Sequence, residues 1–465
     1  MEKSSLPIYI ATKLPIFTPN KMQNFRFTPE QYILLEMEYN RYTVYKDLVK
    51  SIEKLFKLNT SNEISSRLTR ISQIHEYANT SRKLYENKNI FERFVLECIN
   101  HGISPHSINY ISNNNNTSTY YQTGIDYIPP GEMPDMAKCV GYLFFNKDVS
   151  NEALLKETPY FKKMISEYIE KKFCYTTDKL SQLLKLISHA NYRFITMVNE
   201  LYANSNKPGY FENIPCNLLV TDSENYIIRY RTYTKVINFK RYAKLIRNYD
   251  RPFPFDIIRM LLRYSIFDTS NQQWSIGITL YDEISSRLDI GFEMFASPLN
   301  FNMYMFCSLF LDTDKTFGSV GSFYDITLDK LLNMGLRGVF YNPPYLPLLM
   351  ATTTRMCISL LDNMNTLGKD FTILSFLPNW TDAEYIQLFI KSKYLAAHKV
   401  VQKGDYVLHE KDKGKIIRGT FNLLVIVLNS RKPEWDSTRE NSFASCFKDI
   451  INIMKDETRG VKVDN

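Results

Sequence analysis

The chain has 465 residues, 44% hydrophobic and 23% charged, an ordinary globular balance with length for two or three domains. Its formal net charge of +8 permits a nucleic-acid partner without requiring one. Seven scattered Cys with no Cys-x-x-Cys pair, six His with no His-Glu-x-x-His, and no apolar run near the ~18 residues of a membrane span argue against a disulfide framework, a metal centre and a membrane anchor. The N-terminus has no signal-peptide core, so an intracellular, soluble protein is expected. The 32 Tyr and 30 Phe sit beside abundant Asn, Ile and Lys, as in products of AT-rich genomes, and aromatic patches therefore carry little weight on their own.

Residues 1–25 read as an irregular lead-in. Thr28–Lys57 has helical spacing, with Tyr32, Leu35, Tyr39, Tyr42, Tyr45, Leu48, Ile52 and Leu55 recurring every three or four residues. Ile64–Asn100, Glu152–Lys172 and Thr177–Ala203 continue the pattern, around a loop-like 101–134 that holds the tract Asn113–Asn116. A hairpin is expected near 217–233, with Asp222–Asn225 as its turn, then a short helix over Asn238–Asn248. Pro252 and Pro254 mark a boundary. Residues 1–250 are thus expected to form a mostly helical N-terminal domain that contacts RNA, 251–435 a second domain, and 436–465 a C-terminal helix and tail.

Beyond the boundary the texture alternates. Asp256–Ser265 and Thr279–Leu288 look helical, Gly291–Ala296 reads as a strand, and Asn302–Phe310 reads as a helix. Strands follow at 338–341, Thr372–Leu377 and Gly419–Leu428, separated by helical patterns over Leu346–Leu361 and Tyr385–Tyr394. Repeated strand–helix–strand units imply an α/β domain with a doubly wound sheet.

The strand at 338–341 ends in Asn342-Pro343-Pro344-Tyr345. Two prolines have no N–H to continue a ladder, so the strand stops and leaves Asn342 at its carboxyl end, the edge where open α/β sheets bind ligands. The chemistry that fits is methylation of an exocyclic amine. The amine lone pair is delocalised into its ring; an Asn side-chain oxygen and the Pro343 carbonyl can accept its hydrogens and localise that pair, while Tyr345 stacks on the base. A rigid turn after a buried strand is the bland alternative.

Three further stretches share the tetrapeptide's neighbourhood: Phe295-Ala296-Ser297-Pro298-Leu299-Asn300, Asp312-Thr313-Asp314 and Phe317-Gly318-Ser319. Together and in this order they resemble the cap-specific adenosine N6-methyltransferase family of the phosphorylated CTD-interacting factor, over about 255–430. The resemblance implies a Rossmann-like S-adenosylmethionine-dependent sheet and methyl transfer to N6 of the first transcribed adenosine beside a methylguanosine cap. It assigns Asn342, Pro343, Pro344 and Tyr345 to catalysis. Phe295, Ala296, Ser297, Pro298, Asn300, Phe317, Gly318, Ser319 and Asp325 are assigned to the S-adenosylmethionine pocket. Capped mRNA beginning with adenosine is the implied partner.

This chain departs from the family in carrying Tyr345 where the family has Phe. Its three Trp (274, 380 and 435) are too far apart for a WW module, so binding to the polymerase tail is not expected. With the AT-rich composition, this suggests a compact homologue from a parasite or a large cytoplasmic DNA virus, working in the cytoplasm. The densest basic stretch, 391–418, offers Lys399, Lys403, Lys411, Lys413, Lys415 and Arg418 as an RNA track, with a solvated loop as the alternative reading. Methylation of internal RNA or DNA adenine, and a catalytically inactive cap- or RNA-binding subunit, stay open. An amide methyltransferase ranks low for want of a Gly-rich donor loop. A nucleotidyltransferase is set aside because Asp325 and Asp329 lack Asp-x-Asp spacing.

Overall fold

The computed structural model describes residues 22–56, 177–220, 225–246, 254–265, 274–303, 305–308, 310–323, 326–345, 347–410 and 415–460. The expected helices at 64–100 and 152–172, the Asn tract 113–116 and most of the lead-in lie outside them.

Thr28 and Gln31 start the first helix reciprocally. The Thr28 amide donates to Gln31 Oε1 at 3.1 Å and the Gln31 amide to Thr28 Oγ1 at 3.3 Å, a capping box that opens α1 (Pro29–Phe56). α1 packs on α2 (Thr177–Ser205) through buried Leu35, Val44 and Leu48 on one side and Phe194, Val198 and Leu201 on the other. Beside them β1 (Met22–Asn24), β2 (Cys216–Val220), β3 (Asn225–Tyr230) and β4 (Tyr233–Asn238) form an antiparallel sheet in that order. The strand expected over 226–233 breaks at Arg231, which turns with φ 49°. Its guanidinium donates to Glu36 Oε1 at 2.7 Å, which helps to hold a conformation that no Gly or Asn announced. α3 (Phe239–Ile246) follows the sheet.

α4 (Pro254–Tyr264) joins the helical part to the second sheet. Buried Glu38 of α1 accepts from Arg263 Nε at 2.8 Å and pairs with Arg41 at 2.5 Å. Burial alone would raise the Glu38 carboxyl, but the guanidiniums of Arg263, Arg41 and Arg259 outweigh it and hold it well below the usual carboxylate range.

The chain then runs through β5 (Trp274–Ser275), α5 (Ile278–Leu288), β6 (Phe292–Glu293), β7 (Met305–Phe306), α6 (Leu311–Asp314), α7 (Leu328–Asn333), β8 (Gly338–Tyr341), α8 (Pro347–Thr366), β9 (Thr372–Pro378), α9 (Glu384–Ile390), β10 (Leu395–Val401), β11 (Val407–Glu410), β12 (Lys415–Arg418), β13 (Leu423–Asn429) and α10 (Ser437–Gly460). The central sheet has the order β10-β13-β9-β8-β6-β7. β7, β6, β8 and β9 are parallel, and β13 runs antiparallel between β9 and β10. Every residue of β8, β9 and β13 is buried, as a strand covered on both faces requires. Alternation sorts them. Val339, Tyr341, Ile373, Leu377, Leu424 and Ile426 share a cluster with α8 and α9, whereas Phe340, Leu374, Phe376, Val425 and Val427 pack with α5 and α10. The whole is a mixed α/β architecture around a mixed parallel and antiparallel sheet.

The helix expected over 302–310 is instead β7 and its approaches. Met303, Phe306 and Phe310 have helical spacing and all are buried, but the Cys307 amide donates to the Glu293 carbonyl at 2.8 Å and fixes the stretch in the ladder. The basic stretch 391–418 folds as β10 and the β11–β12 hairpin, with β5 added antiparallel to β11. No described helix is long and apolar enough to cross a membrane.

Candidate active site

From β6 the chain moves outward to β7, then returns to the other side of β6 as β8. That reversal opens a crevice at the carboxyl ends of β6 and β8, the position at which open α/β sheets bind their ligands. The Met294 amide donates to the Phe340 carbonyl at 2.8 Å, so the loop leaving β6 starts beside the end of β8.

That loop carries the first group of expected donor-pocket residues. The half-buried Phe295 ring stacks on Phe323 at 4.7 Å and meets Tyr341 edge-on at 5.6 Å. The Ala296 amide donates to the Cys307 carbonyl at 2.9 Å, tying the loop to the end of β7. Ser297 and Asn300 then close a turn on themselves. The Ser297 amide donates to Asn300 Oδ1 at 2.8 Å, the Leu299 amide to Ser297 Oγ at 3.1 Å, and the amides of Asn300 and Phe301 both reach the Ser297 carbonyl. Ser297 and Pro298 are buried and Asn300 is half-buried. These polar atoms are largely engaged inside the turn, as Ser and Asn side chains at a turn commonly are.

The second group lies along β7. Gly318 takes a φ of 103°, which suits a residue without Cβ, and Ser319 bridges to Phe306 in parallel. Ser319 Oγ and Ser308 Oγ are 2.7 Å apart, and Phe317 is buried. Asp314 is fully buried, accepting from the Tyr264 hydroxyl at 2.5 Å and from Thr313 Oγ1 at 2.9 Å, so it braces this segment against α4. Asp325 lies outside the described residues.

One residue at this point escaped the sequence reading. Glu293, at the end of β6, is buried and accepts from the amides of Asn302 at 2.8 Å and Met303 at 3.3 Å. Burial first, and then the neighbouring Glu293 carboxylate, push the Tyr281 phenol well above its ordinary range. The available signal was a lone acid inside the apolar run Gly291–Ala296.

The carboxyl end of β8 is pinned from both sides. The Tyr341 hydroxyl lies 2.6 Å from Thr353 Oγ1 on α8, and Ser375 Oγ on β9 donates to the Tyr341 carbonyl at 2.7 Å. The tetrapeptide emerges from this fixed point with Pro343 buried and Asn342, Pro344 and Tyr345 half-buried. The Tyr345 hydroxyl donates toward Asn342 Oδ1 at 3.2 Å and the Phe376 carbonyl at 3.4 Å. Phe421 stands perpendicular to the Tyr345 ring, 5.6 Å away and at 88°. Phe421 is held in turn by the fully buried Tyr406, whose hydroxyl donates to the Phe421 carbonyl at 2.9 Å.

The same edge carries part of the basic stretch. The Lys403 amide donates to Asn422 Oδ1 at 3.0 Å, immediately before β13, and Arg418 Nη1 donates to the Gly404 carbonyl at 3.2 Å; both side chains are exposed. Lys399 is exposed on β10, in register with Val425 and so set back from the edge. Lys415 opens β12, while Lys411 and Lys413 lie outside the described residues. Among the described residues, no group of three His, Cys, Asp or Glu is placed to hold a metal ion. A cavity of about 650 Å³ opens at the opposite, amino-terminal edge of β8 and β9, lined by Arg287, Arg337, Arg439 and Trp435. Each of these arginines already faces a carboxylate, Asp449, Asp289 and Asp370 respectively, and the cavity takes no part in the crevice.

Comparison with known proteins falls on the same region. Residues 234–411 match the family model described as phosphorylated CTD interacting factor 1 WW domain. Over 125 residues the chain is 29% identical to an mRNA (2'-O-methyladenosine-N(6)-)-methyltransferase of Mus musculus and 28% identical to its Homo sapiens counterpart. The aligned stretch covers 27% of this chain and 16% of each relative.

Proposed function

We propose that the chain belongs to the family whose model matches residues 234–411, that of phosphorylated CTD interacting factor 1, and that it is a cap-specific mRNA adenosine N6-methyltransferase using S-adenosylmethionine. The observation that carries the reading is the placement of Asn342-Pro343-Pro344-Tyr345 at the carboxyl end of β8, beside the loop that leaves β6 at the sheet's reversal point. The order of the parallel strands, with one antiparallel strand inserted before the last, supports a Rossmann-like methyltransferase sheet. We assign the reaction to residues 251–435, RNA contact to the helical part before 250, and to 436–465 a closing helix and tail.

The crevice has the chemistry such a donor needs. Phe295 and Phe323 give a flat apolar wall, and the hydroxyls of Ser308 and Ser319 gather at the end of β7. Phe295–Pro298, Asn300, Phe317–Ser319 and Asp325 would hold the donor, which when bound supplies an electrophilic methyl on a sulfonium. In our reading Asn342 Oδ1 and the Pro343 carbonyl accept the two N6 hydrogens and keep the amine's lone pair on nitrogen. Tyr345 stacks on the base. An amine so methylated would be acidic enough to lose its proton to water, so the reaction would call for no metal and no base of shifted pKa. An unpaired 5′ adenosine enters at little cost, whereas extruding a base from a duplex costs a few kcal/mol. Lys403 and Arg418, at the same edge, suit the downstream phosphates, with Lys399, Lys411, Lys413 and Lys415 extending the track. Such a substrate places the work inside the cell, and we favour the cytoplasm.

The test is methyl transfer from labelled S-adenosylmethionine to short RNAs, capped or uncapped and starting with A or G, alongside adenine-containing duplex DNA. Label is expected on capped RNA starting with A, and Asn342→Ala should lower it by about a hundredfold or more. Equal labelling of uncapped RNA or DNA would overturn the cap-specific reading. Tight cap binding without any transfer would point to an inactive binding subunit.

A further inference from the structure

The Tyr345 hydroxyl donates toward two acceptors at once, Asn342 Oδ1 at 3.2 Å and the Phe376 carbonyl at 3.4 Å. Both distances are long beside the ~2.7–2.8 Å usual for a hydroxyl donor, as expected of one hydrogen shared between two oxygens. Stacking needs only the ring, so the hydroxyl can serve a separate task. The first acceptor is the atom that the proposed reaction turns toward the substrate amine. The second belongs to β9, whose Ser375 also fixes the peptide just before Asn342.

We propose that the Tyr345 hydroxyl is a positioning group: it holds the Asn342 carboxamide in the empty site and transfers its hydrogen bond to the Phe376 carbonyl when the substrate amine arrives. This rests on the reading of Asn342 as the acceptor for N6. A carboxamide that lacks such a tie can turn about its terminal bond and present NH₂, a donor, to an amine that needs an acceptor. With the tie, the oxygen starts in place. Once the substrate N–H reaches Oδ1, the hydroxyl retains a partner 3.4 Å away, so the exchange leaves no polar group unsatisfied and Oδ1 need not divide its strength between two donors. The hydroxyl touches neither transferred group nor base edge and acts through Asn342.

Tyr345→Phe isolates the effect, because the ring and its contact with Phe421 remain. The expected result on capped RNA starting with A is a kcat about fivefold lower, the equivalent of one neutral hydrogen bond, with KM for RNA moved less than about twofold. Tyr345→Leu, which also removes the stacking face, should raise KM as well. A second measurement does not depend on turnover. With selectively ¹⁵N-labelled asparagine, the side-chain NH₂ signal of Asn342, assigned by its loss in Asn342→Asp, should shift or broaden in Tyr345→Phe as the amide gains freedom. Either an unchanged kcat or an unchanged Asn342 amide signal overturns the proposal. If the wild-type chain transfers no methyl to any substrate, the reading of the reaction fails, and the amide signal still decides whether the hydroxyl holds Asn342.

Discussion

Gly419 gives the most demanding test of how the crevice is built. A Cβ placed there would lie 2.1 Å from Tyr406 Cζ and 2.2 Å from Cε1, where unstrained carbons keep about 3.5 Å. Gly419→Ala therefore asks the Tyr406 ring to retreat by about 1.4 Å. The ring has little room to do so, being fully buried and donating from its hydroxyl to the Phe421 carbonyl. The amide of Gly419 also donates to the Tyr406 carbonyl at 2.8 Å, so the two backbones cannot part without losing a ladder bond. Overpacking of this kind costs about 1–3 kcal/mol. The displacement should pass to Phe421 and hence to the edge of Tyr345, where a shift near 1 Å can lower a rate by up to about a hundredfold. The assay pairs the denaturation midpoint with methyl transfer to capped RNA, and with S-adenosylmethionine binding as the control, because the loop that leaves β6, where we propose the donor sits, lies across β8 and should be unaffected. A variant as stable as wild type to within about 0.5 kcal/mol and fully active would show that Tyr406 does not set the position of Tyr345.

Glu38→Gln leaves three arginines without their carboxylate and should cost about 3–5 kcal/mol, read as a lower unfolding midpoint of the full chain. Because the folded carboxyl is held below its ordinary range, its contribution is complete above the unfolded value near 4.3 and fades as pH falls below it; no change in the acid limb of a stability–pH curve on substitution would refute the account. Burial pushes the Cys216 thiol up to about 12 and raises that of Cys357 well above its ordinary range, so at pH 8 both stay protonated. Iodoacetamide should modify them only after unfolding, and rapid native-state labelling of Cys357 would contradict the packing of α8. Lys403→Glu with Arg418→Glu should weaken RNA binding irrespective of sequence and make its log–log salt dependence shallower by about one for each phosphate that is no longer neutralised; an unchanged slope would place the RNA elsewhere.

Much of the sheet was legible because buried parallel strands write themselves as short apolar runs with a hard stop. Gly338–Tyr341 ends at Asn342-Pro343, Thr372–Leu377 at Pro378, and both strands stand where those stops require. What failed has a common cause, which is that tertiary partners overrode local pattern. Met303, Phe306 and Phe310 are spaced as on a helix, yet their neighbours belong to the ladder with β6. Arg231 turns a hairpin without a turn residue because Glu36, far away in sequence, grips its guanidinium. The β11–β12 hairpin was hidden among charges in what read as a basic loop or RNA track, and its role depends on Gly419 making space for Tyr406. Ser297 and Asn300 look like ligand-binding groups in sequence, but their hydrogen bonds largely close their own turn.

The insertion of β13 between β9 and β10 also sets an order of events on the ribosome. β9 is complete at Pro378, yet its second neighbour is not synthesised until residues 423–429, after β10, β11 and β12 have been made. At about 5–20 residues per second, the open flank of Thr-Ile-Leu-Ser-Phe-Leu stays exposed for several seconds, a long wait for an apolar strand edge. Nascent chains halted in that interval should be the sticky ones and the best clients for chaperones. They should also be inert, since Phe421, the wall beside Tyr345, arrives with the strand that closes the gap.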